Sequence, residues 1–378
     1  MAIEIKEIRP VKSELRRYTQ FGINLYKGNK CYVPPLITDD VNTLDPKKNP
    51  AFENCEAKSW MAFRDGKPVG RITGIINRLV NSRSGSNDLR FGFVDFIDDA
   101  EVVDSLFATL AEWGRKKGMD SIVGPLGFTD LDHEGMLTFG FDELGTMATI
   151  YNYPYYPDHM RRMGFEPDAE WLEFRMTVPD KVPERLQRVS DIVRQKYDLR
   201  TKKYTSASRL KADYGVALFE LFNRTYDKLY GYSPLTPRQI KYYIDQYLPM
   251  LRLKNLCIIV DKDENLVGVG LTMPSMSRAL QKSRGHMFPF GWWHLLKGLY
   301  GKNDIVDLLM VAVAPEYQNK GVNSMLFTDL VPVFVESGYK WAESNVELAD
   351  NTSVQQQWKF FEHRLHRRRC TFRKKIGS

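Results

Sequence analysis

The sequence predicts an α/β protein with mixed sheets and helices packed on them, laid out twice along the chain. Three observations predict it. Residues 60–76, WMAFRDGKPVGRITGII, and residues 257–273, CIIVDKDENLVGVGLTM, share one pattern: an apolar strand, a charged turn, then Val-Gly and a second alternating strand. Each hairpin is followed by strand, helix and strand, and a crossover of that kind implies a parallel pair beside the antiparallel hairpin. Between the halves lies VPDKVP at residues 178–183, polar and broken by proline, which reads as a junction. The expectation is two domains, 1–178 and 179–378, related by a diverged duplication.

The elements follow in order. The N-terminus, MAIEIKEIRPV, alternates like a strand. After the first hairpin, residues 91–97 read as a strand. Residues 100–117 read as a helix, with Val102, Val103, Leu106, Phe107, Leu110 and Trp113 on one face and Gly118 as its stop, and residues 121–124 as a further strand. In the second half, residues 305–313 are predicted as a strand, 324–336 as a helix stopped by Gly338, and 339–346 as a strand. An extra stretch precedes that first strand. SRGHMFPFGWWHLLKGLYGKND, residues 283–304, concentrates aromatic and aliphatic residues among Arg284, His286, Lys297 and Lys302. It is too short to span a bilayer and reads either as an amphipathic interfacial segment or lid, or as a helix buried against its neighbour.

Composition narrows the function classes. Apolar residues make up 43 % and charged residues 27 % of the chain, as in ordinary globular proteins. No apolar run is long enough to cross a bilayer, and the N-terminus lacks a signal peptide's apolar stretch. Cys31, Cys55, Cys257 and Cys370 are scattered without a CxxC pair or metal-ligand spacing. A reduced cytoplasmic setting and no metal are expected, with peripheral contact at the inner membrane surface through residues 286–300. Net charge is +7, much of it in the run HRLHRRRCTFRKKIGS from His363 onward. That run reads as a solvated strand or tail, or as an anion site. No helix-turn-helix, finger or RNP pattern accompanies it, which argues against nucleic acid.

The stretch VAVAPEYQNKGVNSMLF, residues 311–327, is a strand entering a polar, glycine-bearing loop that opens a helix. Several backbone N–H groups then point one way at the positive end of a helix dipole, a site for phosphate or pyrophosphate. Here the chain resembles the GNAT superfamily of CoA-dependent N-acyltransferases. Its motif, Q/R-x-x-G-x-G/A after a strand carrying V-x-P, is matched by Val313-Ala314-Pro315, then Gln318, Gly321 and Asn323, with the flanking elements in GNAT order over residues 205–350. The resemblance implies acyl-CoA as co-substrate. Val311, Ala312 and Val313 would lie along the pantetheine arm, and Gln318, Asn319, Lys320, Gly321, Val322, Asn323 and Ser324 around the pyrophosphate. Asn323 departs from the family's glycine or alanine; asparagine suits the position if it needs positive φ, and fits less well if it needs a missing Cβ. The corresponding turn in the first half, FIDDAEVV, is acidic and would repel a pyrophosphate. The first half therefore resembles a degenerate GNAT copy with a structural or acceptor-framing role, as in the Fem-type aminoacyltransferases and N-myristoyltransferases.

Acyl transfer to an amine needs a proton acceptor. Strand parity places Glu343 on one face with Trp341 and Asn345, and Asp307 stands on the preceding strand; each is a candidate base or a buried structural acid. Asn351 is a candidate either for orienting substrate or for capping the next helix. Seven residues on, where many GNATs carry a tyrosine acid, stands Trp358, whose indole cannot donate a proton usefully. In the first half, His133 and the tyrosines of residues 149–165 either line a pocket or pack as a loop. The expected function is transfer of an acyl group to a primary amine of a small molecule or long-chain amino lipid. The alternatives are a non-catalytic holder of an anionic ligand and an aminoacyl-tRNA-dependent transferase.

Overall fold

The computed structural model describes residues 2–377. The first half runs β1 (Glu4–Ile8), α1 (Lys12–Leu25), α2 (Ile37–Leu44), β2 (Cys55–Arg64), β3 (Lys67–Asn77), α3 (Arg78–Ser84), β4 (Asp88–Phe96), α4 (Ala100–Lys116), β5 (Ser121–Gly124), β6 (Met136–Phe139), α5 (Tyr155–Arg162) and β7 (Glu166–Thr177). The second runs α6 (Glu184–Tyr197), β8 (Arg200–Lys202), α7 (Ala207–Tyr226), α8 (Pro237–Tyr247), β9 (Leu256–Val260), β10 (Leu266–Pro274), α9 (Ser277–Ser283) and α10 (Gly291–Tyr300). It finishes with β11 (Ile305–Val313), α11 (Asn323–Ser337), β12 (Trp341–Ser344), β13 (Glu347–Leu348), α12 (Thr352–Gln355) and β14 (His363–Lys375).

These elements pack into two compact units, and neither unit is continuous in sequence. One takes the chain up to Trp171 with Ser277–Leu295 and the chain from Arg367 onward; the other takes Leu172–Met276 and Leu296–His366. In the first unit β1 to β4 pair antiparallel in sequence order, β4 pairs parallel with β5, and β5 pairs antiparallel with β14. The second unit repeats the scheme: β8 to β11 antiparallel, β11 parallel to β12, and β12 antiparallel to the end of β7. The duplication read from the hairpins is thus a duplication of sheet topology. The units differ from a single cut after residue 178, because each sheet is closed by a strand from the other half of the sequence. Edge hydrogen bonding, which local pattern does not encode, selects that strand.

The basic C-terminal run is this closing strand, not a free tail. Arg367 and Arg369 are buried in it and donate to the carbonyls of Leu144 and Ile150. Arg373 bridges Asp88 at 2.6 Å and Asp168 at 3.0 Å. Much of the positive charge that suggested an anion site is therefore spent inside the first unit.

Each unit has its own core under one long helix. In the first, α4 sets Val102, Val103, Leu106, Phe107, Leu110 and Trp113 against the sheet, as its period requires. Gly74 on β3 makes room: a Cβ there would stand 2.6 Å from Leu110 Cδ1 and 2.9 Å from the Trp113 ring. In the second, α11 buries Met325, Leu326, Phe327, Leu330, Val331 and Phe334. Its neighbour β10 is looser: a Cβ at Gly270 would stand 3.3 Å from Leu330 Cδ1 on α11, and one at Gly268 would meet nothing nearer than 3.5 Å. We expect Gly74→Ala to cost about 1–3 kcal/mol by overpacking, and Gly268→Ala to change stability by less than about 0.5 kcal/mol. Urea unfolding of the two variants checks both; equal effects would show that the glycines do not set the helix-to-sheet distance.

Candidate active site in the second unit

The site begins where two strands part. β11 pairs in parallel with β12 only from Ile305 to Leu308, opposite Trp341 to Ser344. Against β10, Met310 faces Leu271 and Leu308 faces Thr272, so Leu309 is an extra residue, a β-bulge that bends the strand. Asn345 holds the far side of the parting: its N–H donates to Leu308 O at 3.1 Å and its side chain to Leu309 O at 3.1 Å. Beyond the bulge, the edge of β11 that faced β12 has no strand partner among the described residues.

Parity decides which groups face that edge. The Ala314 N–H donates to Val267 O at 2.8 Å, so Ala314 and Ala312 face β10, while Val311 and Val313 face the open side. The carbonyls there are engaged: Tyr226 donates its hydroxyl to Val311 O at 2.7 Å, and Gln318 its amide to Val313 O at 3.1 Å. Burial pushes the Tyr226 phenol up to about 12. The Val311 and Val313 N–H groups remain as donors along an extended edge, the geometry that pairs with a ligand's amides.

The loop after the strand is shaped as an anion cradle. Gln318 anchors its start through Val313, and Asn319 at φ 59° and Gly321 at φ 79° turn the chain. Ser324 closes the turn, its hydroxyl donating to Gly321 O at 2.7 Å. Helix α11 then starts with no side-chain cap. Among the described residues, the backbone N–H groups of Asn319 to Asn323 have no intramolecular acceptor, so they meet solvent or a ligand at the positive end of the helix. The Lys320 ammonium lies 5.2 Å from the Tyr197 ring and 5.5 Å from the Tyr317 ring, which fixes a charge beside the loop. Asn323 is the first residue of α11 with ordinary helical backbone. The reading that it needs positive φ is corrected: the left-handed positions are Asn319 and Gly321.

The first unit supplies the contrast. Its β4 also parts from β5 after three paired residues and bulges at Phe93 and Val94. There the open edge is filled from within: the Phe96 N–H donates to Tyr156 at 3.0 Å, and Tyr155 donates to Phe96 O at 2.8 Å. At the start of α4 the Asp99 carboxylate accepts the N–H groups of Glu101 and Val102 at 3.0 and 3.2 Å. An Arg64 hydrogen bond holds that carboxyl below the usual range. A side-chain anion occupies the place a phosphate would take. The tyrosine-rich loop is a packed one, and His133 is bonded to Met147 O at 2.9 Å, with burial lowering its basicity.

The structure brings the carboxylates together unevenly. Asp307 and Glu343 are register partners on the paired part of β11 and β12, and both are buried. Glu343 accepts two hydrogen bonds from Arg175, at 2.6 and 2.9 Å, and so sits in an ion pair. Asn351 precedes α12 and makes no side-chain cap. The carboxyl that sequence reading missed is Glu347. It follows Asn345 by two residues, about 7 Å along an extended chain, and so lies close to the bulge. Burial pushes Glu347 up to about 7, against opposing hydrogen bonds from Trp358 and Ser344 and with the Glu173 charge adding to the shift. The Trp358 indole donates to both Glu347 oxygens at 3.1 Å. Tryptophan at that position, where many GNATs carry a tyrosine, was the available signal: a buried indole needs an acceptor.

No family model matches the chain. It is 28 % identical over 286 residues to Protein YghO of Escherichia coli K12, covering 75 % of this chain and 72 % of that protein. It is 25 % identical over 296 residues to the bacterial ceramide synthase of Caulobacter vibrioides, covering 76 % and 74 %. Among solved structures, a tandem GNAT protein from the clavulanic acid biosynthesis pathway aligns over 100 % of this chain and 99 % of its own, with TM-score 0.57 at 14 % identity.

The Glu347 shift has a sign that can be tested. A carboxyl raised in the folded state contributes stability below its unfolded value, lost as pH rises through about 7. Relative to Glu347→Gln, the native chain is therefore expected to lose roughly 2–3 kcal/mol between pH 5 and pH 8. Parallel melting curves for the two proteins across that range would refute the shift.

Proposed function

From a tandem GNAT fold whose second copy keeps an open strand edge and an uncapped helix, we propose an acyl-CoA-dependent N-acyltransferase acting on a primary amine. The observation that carries this is the contrast between the two helix starts: Asp99 neutralises α4, whereas α11 presents free N–H groups beside Lys320. Val311 and Val313 would pair with the pantetheine arm, with Ala312 turned to β10. Residues Gln318 to Ser324 would cradle the pyrophosphate. The first unit, its own edge filled, would serve a structural or acceptor-framing role.

The reaction forms an N–C bond and breaks the thioester C–S bond. The amine attacks the carbonyl carbon, the sulfur leaves with the bonding electrons, and the ammonium proton passes to a base. Glu347 is the carboxyl best matched to that work, because a pKa near 7 leaves it able to accept a proton at neutral pH. Asp307 and Glu343 would hold the paired strands behind it, with Asn351 at the mouth of the following loop. The departing thiolate takes its proton from water, because the Tyr226 phenol, protonated at neutral pH, already donates its one proton to Val311 O.

Similarity to a ceramide synthase favours a long-chain amino alcohol as acceptor and a long-chain acyl-CoA as donor, since ceramide is the N-acyl product of such a pair. One observation favours a second reading, a protein that holds acyl-CoA without turnover: Trp358 stands where many GNATs carry an acid.

Calorimetry with CoA and with a long-chain acyl-CoA below its micelle concentration tests the cradle. Asn323→Asp changes one atom and places a charge at the helix start, as Asp99 does in the first copy. It should leave the fold intact and weaken binding at least about tenfold, roughly 1.4 kcal/mol. Undiminished binding by that variant would sink the pyrophosphate assignment. Mass spectrometry of mixtures with long-chain amino alcohols and with short amines tests turnover. With Glu347 as base, kcat/KM should rise with pH through about 7, and Glu347→Gln should lower it by about 10²–10⁴. Tight binding with no product from any amine would leave the second reading.

A further inference from the structure

One strongly apolar surface is absorbed by neither core. Residues 287–300 contain Met287, Phe288, Phe290, Trp292, Trp293, Leu296 and Tyr300, all exposed. Phe288 and Phe290 are 77 % and 72 % exposed, and in α10 only Gly291 is buried. The alternative of a helix buried against its neighbour is thereby excluded. A cluster of this size, within so short a stretch, marks an interaction surface.

The residues ahead of the cluster are hydrogen-bonded into the first unit. Gln281 donates its amide to Lys30 O at 2.8 Å and to Tyr32 O at 2.9 Å. The Ile37 N–H donates to Gly285 O at 2.9 Å. Gly285, at φ 75°, fits where a Cβ would stand 2.6 Å from Pro35 O. Within the cluster the Trp292 indole folds back and donates to Pro289 O at 3.0 Å.

Charge identifies the partner. Residues 275–303 contain Arg278, Lys282, Arg284, Lys297 and Lys302 and no acid, and these five cations are exposed without an ion pair among the described residues. Tryptophans and phenylalanines flanked by unpaired cations suit the boundary between lipid headgroups and acyl chains. At ten residues α10 is about 15 Å long, half a bilayer core. No helix among the described residues is long and apolar enough to cross a membrane. We propose that residues 287–300 dock the protein on the surface of an anionic lipid bilayer, lying in the interface without crossing it.

The inference does not depend on acyl transfer, so it is tested with vesicles alone. The full chain is sedimented with large vesicles of phosphatidylcholine, with or without phosphatidylglycerol, at low and high salt. Binding is expected to be strong to the anionic vesicles and to weaken as salt rises. Phe288→Ser with Phe290→Ser should weaken it about tenfold or more at unchanged circular dichroism. Lys282→Glu with Lys297→Glu should weaken anionic-vesicle binding by a similar factor and leave any residual binding to neutral vesicles unchanged. No association with either vesicle overturns the proposal, as does binding that both variants retain. A vesicle-free oligomer that Phe288→Ser with Phe290→Ser dissolves would overturn it too, assigning the cluster to a second copy of the chain.

Discussion

The second unit's candidate chemistry depends on the parting of one parallel strand pair. While β11 and β12 remain hydrogen-bonded their edges are satisfied; once the Leu309 bulge turns β11 away, Val311 and Val313 present donors to whatever lies alongside. Asn345 prevents the gap from closing by taking the Leu308 and Leu309 carbonyls for itself. The same bend delivers the strand end to the loop at Gln318, so the extended edge and the anion cradle form a continuous track. Glu347 follows Asn345 by two residues, and burial raises its carboxyl to about 7 while the Trp358 indole holds both of its oxygens.

The two copies differ in how the strand edge and the helix start are satisfied. Both part after a few paired residues, and both bulge. In the first unit, tyrosine hydroxyls bond the strand edge at Phe96 and the Asp99 carboxylate bonds the helix start. That arrangement is worth roughly 1 kcal/mol at the cap alone. The second unit lacks that cap, and in the proposed reading its helix start would be open to a phosphate.

Much of this was legible because it is local. Hairpins, crossover helices and the loop QNKGVN have periods and turn residues that appear within about twenty positions. The strand bounds at residues 121–124 and 305–313 match the structure for that reason. The acidic turn of the first half likewise read as a good helix start, and Asp99 caps α4. Glu347 was not legible, because its significance comes from burial, the Trp358 indole and the Glu173 charge, none of them adjacent in sequence. Glu343, singled out by parity, is held by Arg175 from a distant strand.

The sequence by itself determined the duplicated topology, the polar loop at the helix start and the apolar stretch ahead of β11, because each is written in short-range pattern. Only the tertiary structure decided that β14 closes the first sheet and the end of β7 the second, that the basic terminus is interior strand, and that residues 287–300 face outward. Those outcomes turn on which edges and surfaces meet across hundreds of residues. Hydrogen-bond completion and burial are properties of the folded whole, and no window of sequence contains them.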